Sequence, residues 1–155
     1  MSGVAAARRI VAVLLLALWW GGFSFYAGRV VFIGHQVLKS KIRQGFITER
    51  VTTELNWLAV AALAVVGCEL VGSARSSRRR VARIAWAVTP LATVALFILH
   101  GQLAGMLDFA VRKVADDEHF YGWHRVYLFT ATLQWLAGAV LLIALQTGTL
   151  GKSNE

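Results

Sequence analysis

The residues best equipped for chemistry are the four histidines (His35, His100, His119 and His124), together with Arg29 and the lone Cys68. Neutral imidazoles from two helices can ligate one haem iron axially, and His100 with His35 or His124 supplies the candidate pairs. The set His35, His100 and His124 is also a candidate for Cu or Zn, as is the stretch Asp116-Asp117-Glu118-His119. His119 and His124 are five residues apart, which separates them by about 140° on a helix, a poor geometry for two ligands on one face. A third reading is structural: each histidine hydrogen-bonds a neighbour, and the surrounding Trp, Tyr and Arg side chains mark a membrane interface. This structural reading is favoured, while a haem b or quinone site and a metal site stay open. Cys68 lies in an apolar run and reads as a small hydrophobe. Glu69 beside it is expected to pair with Arg75 or Arg78. One cysteine excludes an intramolecular disulfide framework and a four-thiolate metal site. The chain has no Gly-rich phosphate loop, no nucleophile–base–acid spacing and no paired carboxylates at membrane depth, so an enzyme is disfavoured.

The elements that must position these residues are apolar and long. Of 155 residues, 57% are apolar and 15% charged, against roughly 25% charged in an ordinary soluble domain. Four segments reach spanning length, where about 20 residues cross a ~30 Å core. They run over about 10–34, 55–72, 81–107 and 124–146, and predict an all-α integral membrane protein of one domain over 1–155, a four-helix up-down bundle. No ten-residue alternation suggests a transmembrane barrel. The net charge of +8 is concentrated in short segments between apolar runs, as in membrane proteins; a nucleic-acid partner is not expected.

Arg8-Arg9 before an apolar run resembles a leader, but Trp19-Trp20 follows and the run continues, which predicts a retained first span. The arginine cluster Arg78–Arg80, tight against the third span, places that loop in the cytoplasm. Both termini then lie on the cytoplasmic side of a prokaryote-type inner membrane. Residues 39–53 mix Ile42, Phe46 and Ile47 with Lys39, Lys41, Arg43, Glu49 and Arg50, the pattern of either a short interfacial helix or a solvated loop.

Helix periodicity identifies candidate inward faces. On the first span, Gly21, Ser24, Gly28, Val31 and His35 form a small-residue stripe, with Gly22, Phe25 and Arg29 beside it. The second span offers Asn56, Leu63 and Gly67. The third offers Thr89, Thr93, Leu96 and His100, with Gly101 and Gly105 beside them as a small-residue pair that suits packing within the bundle, dimerisation being the alternative. The fourth offers His124, Tyr127, Ala131, Gln134 and Gly138. Pro90 should bend the third span. An ionisable group within a span is costly, so Arg29 and His100 must either face inward with partners or snorkel. Asn56, Gln102, Asp108, His124 and Glu54 are their candidate partners. The candidate ligand-binding set is therefore Arg29, His35, Asn56, His100, His124, Tyr127 and Gln134. The lipid bilayer is the implied partner, with a homo-oligomer or larger membrane complex open.

The opening segment ALWWGGFSFYAGRVVF and the closing segment FYGWHRVYLFTATLQWLAGAVLL resemble the two ends of the transmembrane protein 205-like family, also described as domain of unknown function 4149. The matching positions are Gly21-Gly22, then His124-Arg125, Thr130, Thr132 and Gln134. Arg29 departs from the family pattern, where an apolar or Pro-containing segment is expected. The resemblance implies a small four-helix integral membrane protein and no established reaction, which agrees with an accessory, binding or assembly role. The competing function is a membrane redox subunit.

Overall fold

The computed structural model describes residues 3–71, 77–108, 113–114 and 117–150. Helix α1 (Gly3–Phe25) passes through a π-helical turn (Tyr26–Val30) into α2 (Val31–Leu38), so the first span is one interrupted rod. Helices α3 (Lys41–Val71), α4 (Ser77–Gly105) and α5 (Asp117–Leu150) supply the other three. Two-residue strands β1 (Leu107–Asp108) and β2 (Lys113–Val114) pair antiparallel between α4 and α5. Four rods are long and apolar enough to cross a membrane: Gly3–Leu38, Ile42–Val71, Arg80–Gly105 and His119–Gln146.

The rods pack as a ring in which each touches its chain neighbours and α1 also meets α5. Their run is antiparallel, because Gly34 of α2 lies against Gln44 early in α3, while Arg8 early in α1 reaches Glu69 late in α3. One end of the bundle therefore gathers the start of α1, the end of α3, the start of α4 and the end of α5; it is called the arginine end below. The opposite end is the histidine end.

The turn between α2 and α3 needs only Lys39 and Ser40. Lys39 takes the left-handed conformation (φ 48°) and its N–H bonds the His35 carbonyl at 3.2 Å, a common way to end a helix, though glycine is the usual residue there. Ser40 then caps α3: its hydroxyl accepts from the Arg43 N–H at 3.3 Å and its carbonyl from the Gln44 N–H at 3.1 Å. With so short a turn, residues 39–53 cannot form a separate surface element. Residues 41–53 form about the first three and a half turns of α3, so the second rod begins at Lys41 and not near residue 55.

The inward face of α1 is Ala12, Leu16, Trp19 and, on the π turn, Tyr26. The stripe expected there behaves otherwise: Gly21, Gly28 and His35 are exposed. Large side chains fill the core instead, and the glycines that matter sit opposite them. A Cβ on Gly138 would lie 2.5 Å from the Trp19 ring, and one on Gly67 would lie 2.8 Å from the Trp86 ring. Gly101 and Gly105 meet nothing within 4 Å and point away from the bundle, so they do not pack within it. The expected faces of the other three rods do turn inward, with Asn56, Leu63, Gly67, Thr89, Thr93, Leu96, Tyr127, Ala131, Gln134 and Gly138 all buried. Helix α4 runs unbroken through Pro90.

Candidate functional site

The histidine half of α3 carries its polar residues at four-residue steps. Gln44, Thr48, Thr52 and Asn56 therefore stack on one face, and Gln44, Thr52 and Asn56 are buried. A helix tolerates these threonines because each hydroxyl returns to the preceding turn: Thr48 donates to the Gln44 carbonyl at 2.9 Å, Thr52 to that of Thr48 at 2.7 Å, and Thr53 to that of Glu49 at 3.0 Å. Their hydroxyl oxygens stay free to accept from neighbouring helices. Tyr26 uses this, its hydroxyl donating to Thr48 Oγ1 at 3.0 Å. The π turn that holds Tyr26 inserts an extra residue into α1, and Gly34 beyond it packs directly on the Gln44 amide.

Glu49 and Thr53 lie one residue on from Thr48 and Thr52, so they face α4 and meet His100. Its Nε2 is 3.0 Å from Thr53 Oγ1 and 3.3 Å from Glu49 Oε1. Because the Thr53 proton is directed to the Glu49 carbonyl, Thr53 Oγ1 acts as an acceptor, and a carboxylate can only accept. Both partners therefore require the tautomer that carries its hydrogen on Nε2. The Glu49 and His100 side chains are 27% and 16% exposed, so the pair sits just beneath the α3–α4 surface. Trp57 and Phe97 cover the next turn, with ring centroids 5.2 Å apart.

Tyr127 on α5 closes the network from the far side. It is 7% exposed, its ring centroid lies 6.5 Å from that of His100, and its hydroxyl makes hydrogen-bonding contact with Thr52 and Asn56. Asn56 Nδ2 and Gln44 Oε1 are buried without a partner among the described residues. Nearer the arginine end, Gln134 Nε2 donates to Thr93 Oγ1 at 2.7 Å, and Thr93 donates to the Thr89 carbonyl at 2.8 Å.

The structure brings Asn56, His100 and Tyr127 of the sequence-derived set together. It leaves the others apart. Arg29 is exposed on the outward side of the first rod. His35 is exposed, and its Nδ1 lies 2.9 Å from the carbonyl of Val31, one turn back. His124 is half-buried and stacks on Phe120, with centroids 5.9 Å apart and planes within 8°. Gln134 is buried but belongs to the Thr93 pair. Among the described residues no three of His, Cys, Asp and Glu group closely enough to hold a metal ion. Glu69 pairs with Arg8 at 2.8 Å; Arg75 and the Arg78 side chain lie outside the described residues, as do Asp116 and the side chains of Asp108, Asp117 and Glu118.

Glu49, Thr53, Thr52, Thr48, Gln44 and Tyr26 are the network members that sequence reading passed over. Their signal was the four-residue spacing from Gln44 to Asn56, with Glu49 and Thr53 one step on. Taking residues 39–53 as a connection hid that helical period.

The arrangement holds four rods in register by hydrogen bonds and places one titratable pair within reach of the surface. Comparison with known proteins finds no family model, no curated protein and no solved structure that matches this chain.

Proposed function

We propose that this chain is a small multi-pass protein of a prokaryote-type inner membrane, with both termini cytoplasmic. Its role is non-enzymatic: an accessory or assembly protein whose polar network clasps the bundle at the histidine end and offers a polar contact to a small ligand. The resemblance to the transmembrane protein 205-like family points the same way.

Two features support the membrane part. Large apolar side chains face outward on every rod, among them Leu14, Leu18, Phe25, Val60, Leu91, Phe129 and Ile143, far more than the surface of a soluble monomer carries in one belt. Arg8, Arg9, Arg80 and Arg83 share one end, as the positive-inside rule asks of a cytoplasmic face.

The accessory role rests on the commitment of His100. Its Nε2 hydrogen is held by Thr53 and Glu49, and Tyr127 packs beside the ring. An axial haem ligand ordinarily needs an unprotonated nitrogen directed at open space. His35 bonds its own helix and His124 stacks on Phe120, so each of these rings is already engaged by its own helix. The redox alternative draws no such support.

The test is a visible spectrum of detergent-purified protein, oxidised and dithionite-reduced, from cells supplied with haem, with metal analysis of the same sample. A colourless, metal-free protein in which His100→Ala lowers the melting temperature is expected. A Soret band that sharpens on reduction and is lost in His100→Ala would replace this reading with the redox one.

A further inference from the structure

Two ionisable side chains lie outside the polar network, on the outward side of the first rod and α3. Arg29 on the π turn and Glu54 on α3 are both exposed, and among the described residues neither enters an ion pair or hydrogen bond. Their heights follow from the helix contacts. Gly22 faces Leu55, whose Cδ2 would lie 3.6 Å from a Cβ there, so the adjacent Glu54 is level with the middle of the apolar stretch 10–33. Tyr26 reaching Thr48 and Gly34 lying on Gln44 put Arg29 between the levels of Gly45 and Glu49. The two groups thus differ in height by about seven residues, roughly 10 Å of helix rise, which extended Arg and Glu side chains leaning toward each other can span.

Their directions also agree. Leu55 faces α1, and Glu54 is turned about 100° from it, away from the core. Phe25, at the end of α1, is turned about 60° outward from the α3-facing Gly22 and is exposed; Arg29, on the π turn beyond it, is outward by its own exposure. Glu54 is equally about 100° from Thr53, which faces α4, so it points straight out from α3; with Arg29 it marks the outward side of the first rod and α3. Arg50, one turn from Glu54 toward the histidine end, is exposed too, but its stem can carry the guanidinium outward to headgroup level. A carboxylate facing hydrocarbon at the depth of Glu54 has no such escape and is costly without a partner.

We propose that this face is the interface between two copies of the chain, related by a two-fold axis along the membrane normal, with Arg29 of each copy paired to Glu54 of the other. A two-fold contact repeats every pair, so residue i meets j and j meets i. An axis along the normal preserves height. The two opposite charges must then lie on outward faces and within side-chain reach of each other in depth, as these do. Ala61, seven residues beyond Glu54, and Gly21 on α1 are exposed and small enough to let the helices approach closely.

The proposal rests on the membrane reading above, so the first observation is whether the wild-type chain sediments with membranes; recovery in the soluble fraction overturns both. The chain is then co-expressed with two different tags and captured from detergent on one of them. Wild type should carry the second tag through. Arg29→Glu and Glu54→Arg should each reduce that recovery at least tenfold, because both contacts become like-charged. Co-expressing the R29E chain with the E54R chain should restore it, since one contact keeps its native charges and the other has them exchanged. Pairing within a single chain cannot give this result, because each variant chain carries two like charges. The chain bearing both substitutions should also self-associate. A membrane-bound wild type recovered only as monomer, single reversals that associate like wild type, or helical, normally melting variants that fail to pair when mixed would each overturn the interface.

Discussion

Toward the arginine end, the bundle core is Leu16, Trp19, Leu63, Val66, Leu70, Leu141 and Leu145 with small alanines between them. Toward the histidine end, the equivalent positions hold Thr52, Asn56 and Tyr127 among a few leucines, with the Thr93–Gln134 pair at mid-bundle between the two halves. Helices already in lipid gain little from burying apolar surface, since lipid tails are as apolar as leucine; packing and hydrogen bonds must align them. The first half uses shape. Trp19 fills the space above Gly138, and Trp86 fills that above Gly67 while its Nε1 donates to the Leu63 carbonyl at 2.9 Å. Between these ends, Trp20 and Trp135 stack at 5.1 Å and cross-link through Ser24: Trp135 Nε1 donates to Ser24 Oγ at 2.7 Å, and Ser24 to the Trp20 carbonyl at 2.7 Å. The second half uses direction. A misplaced rod would lose contact area at one end and would orphan polar groups at the other.

The comparison predicts that the shape-filled half breaks hardest. Trp19→Ala removes the largest fully buried side chain and should cost about 3–5 kcal/mol, the range for emptying an aromatic site. Gly138→Val attacks the same contact from the other side and should cost about 1–3 kcal/mol by overpacking. Reversible unfolding in mixed detergent micelles measures both. The double variant should cost less than the sum, because valine occupies part of the space that the tryptophan vacates. Additive losses would mean that the two residues do not share a contact.

In the direction-filled half, single losses are smaller and coupled. A cycle of His100→Ala and Glu49→Gln should show a coupling of about 0.6 kcal/mol and no more than about 1.7 kcal/mol, the average and the maximum measured for hydrogen bonds between helices in a membrane. Thr53→Val should disturb His100 as well, since Thr53 Oγ1 is the nearer acceptor. A coupling of zero, with each single change harmless, would reduce the network to coincidental proximity and remove the contrast between the halves.

The two halves were not equally legible in the sequence. Four apolar segments of spanning length announced the rods, and the inward faces of α4 and α5 followed from residue spacing, because Thr89, Thr93, Tyr127, Ala131 and Gln134 stand out against apolar neighbours. The inward face of the first span was hidden for a physical reason. Small residues were expected to mark close approach, yet the partner of a glycine here is a tryptophan on another helix, and Gly21 and Gly28 are surface positions. The π turn at Tyr26–Val30 compounded this by rotating everything after it, so no constant period describes the rod. At the histidine end, charges in residues 39–53 suggested an exit from the membrane. Ser40 starts a helix there, and α3 carries Glu49 and Thr53 to His100. Arg29 and His35 drew attention as polar residues in an apolar run, but chemical type alone does not say which way a side chain points.

The smallest effect belongs to the arginine end. Arg8 and Glu69 make a good contact at 2.8 Å, but the Arg8 side chain is 40% exposed, and ion pairs that meet solvent contribute about 0–1 kcal/mol. Arg9 holds the same region independently by donating to the Leu145 carbonyl. Arg8→Gln should therefore shift unfolding by less than about 1 kcal/mol, and added salt should shrink the difference further, because exposed charges are screened within ~10 Å at 0.1 M. A loss comparable to that of Trp19→Ala, insensitive to salt, would mean that this end too is fastened by a polar contact rather than by shape. The division between the two halves would then fail where it should be easiest to see.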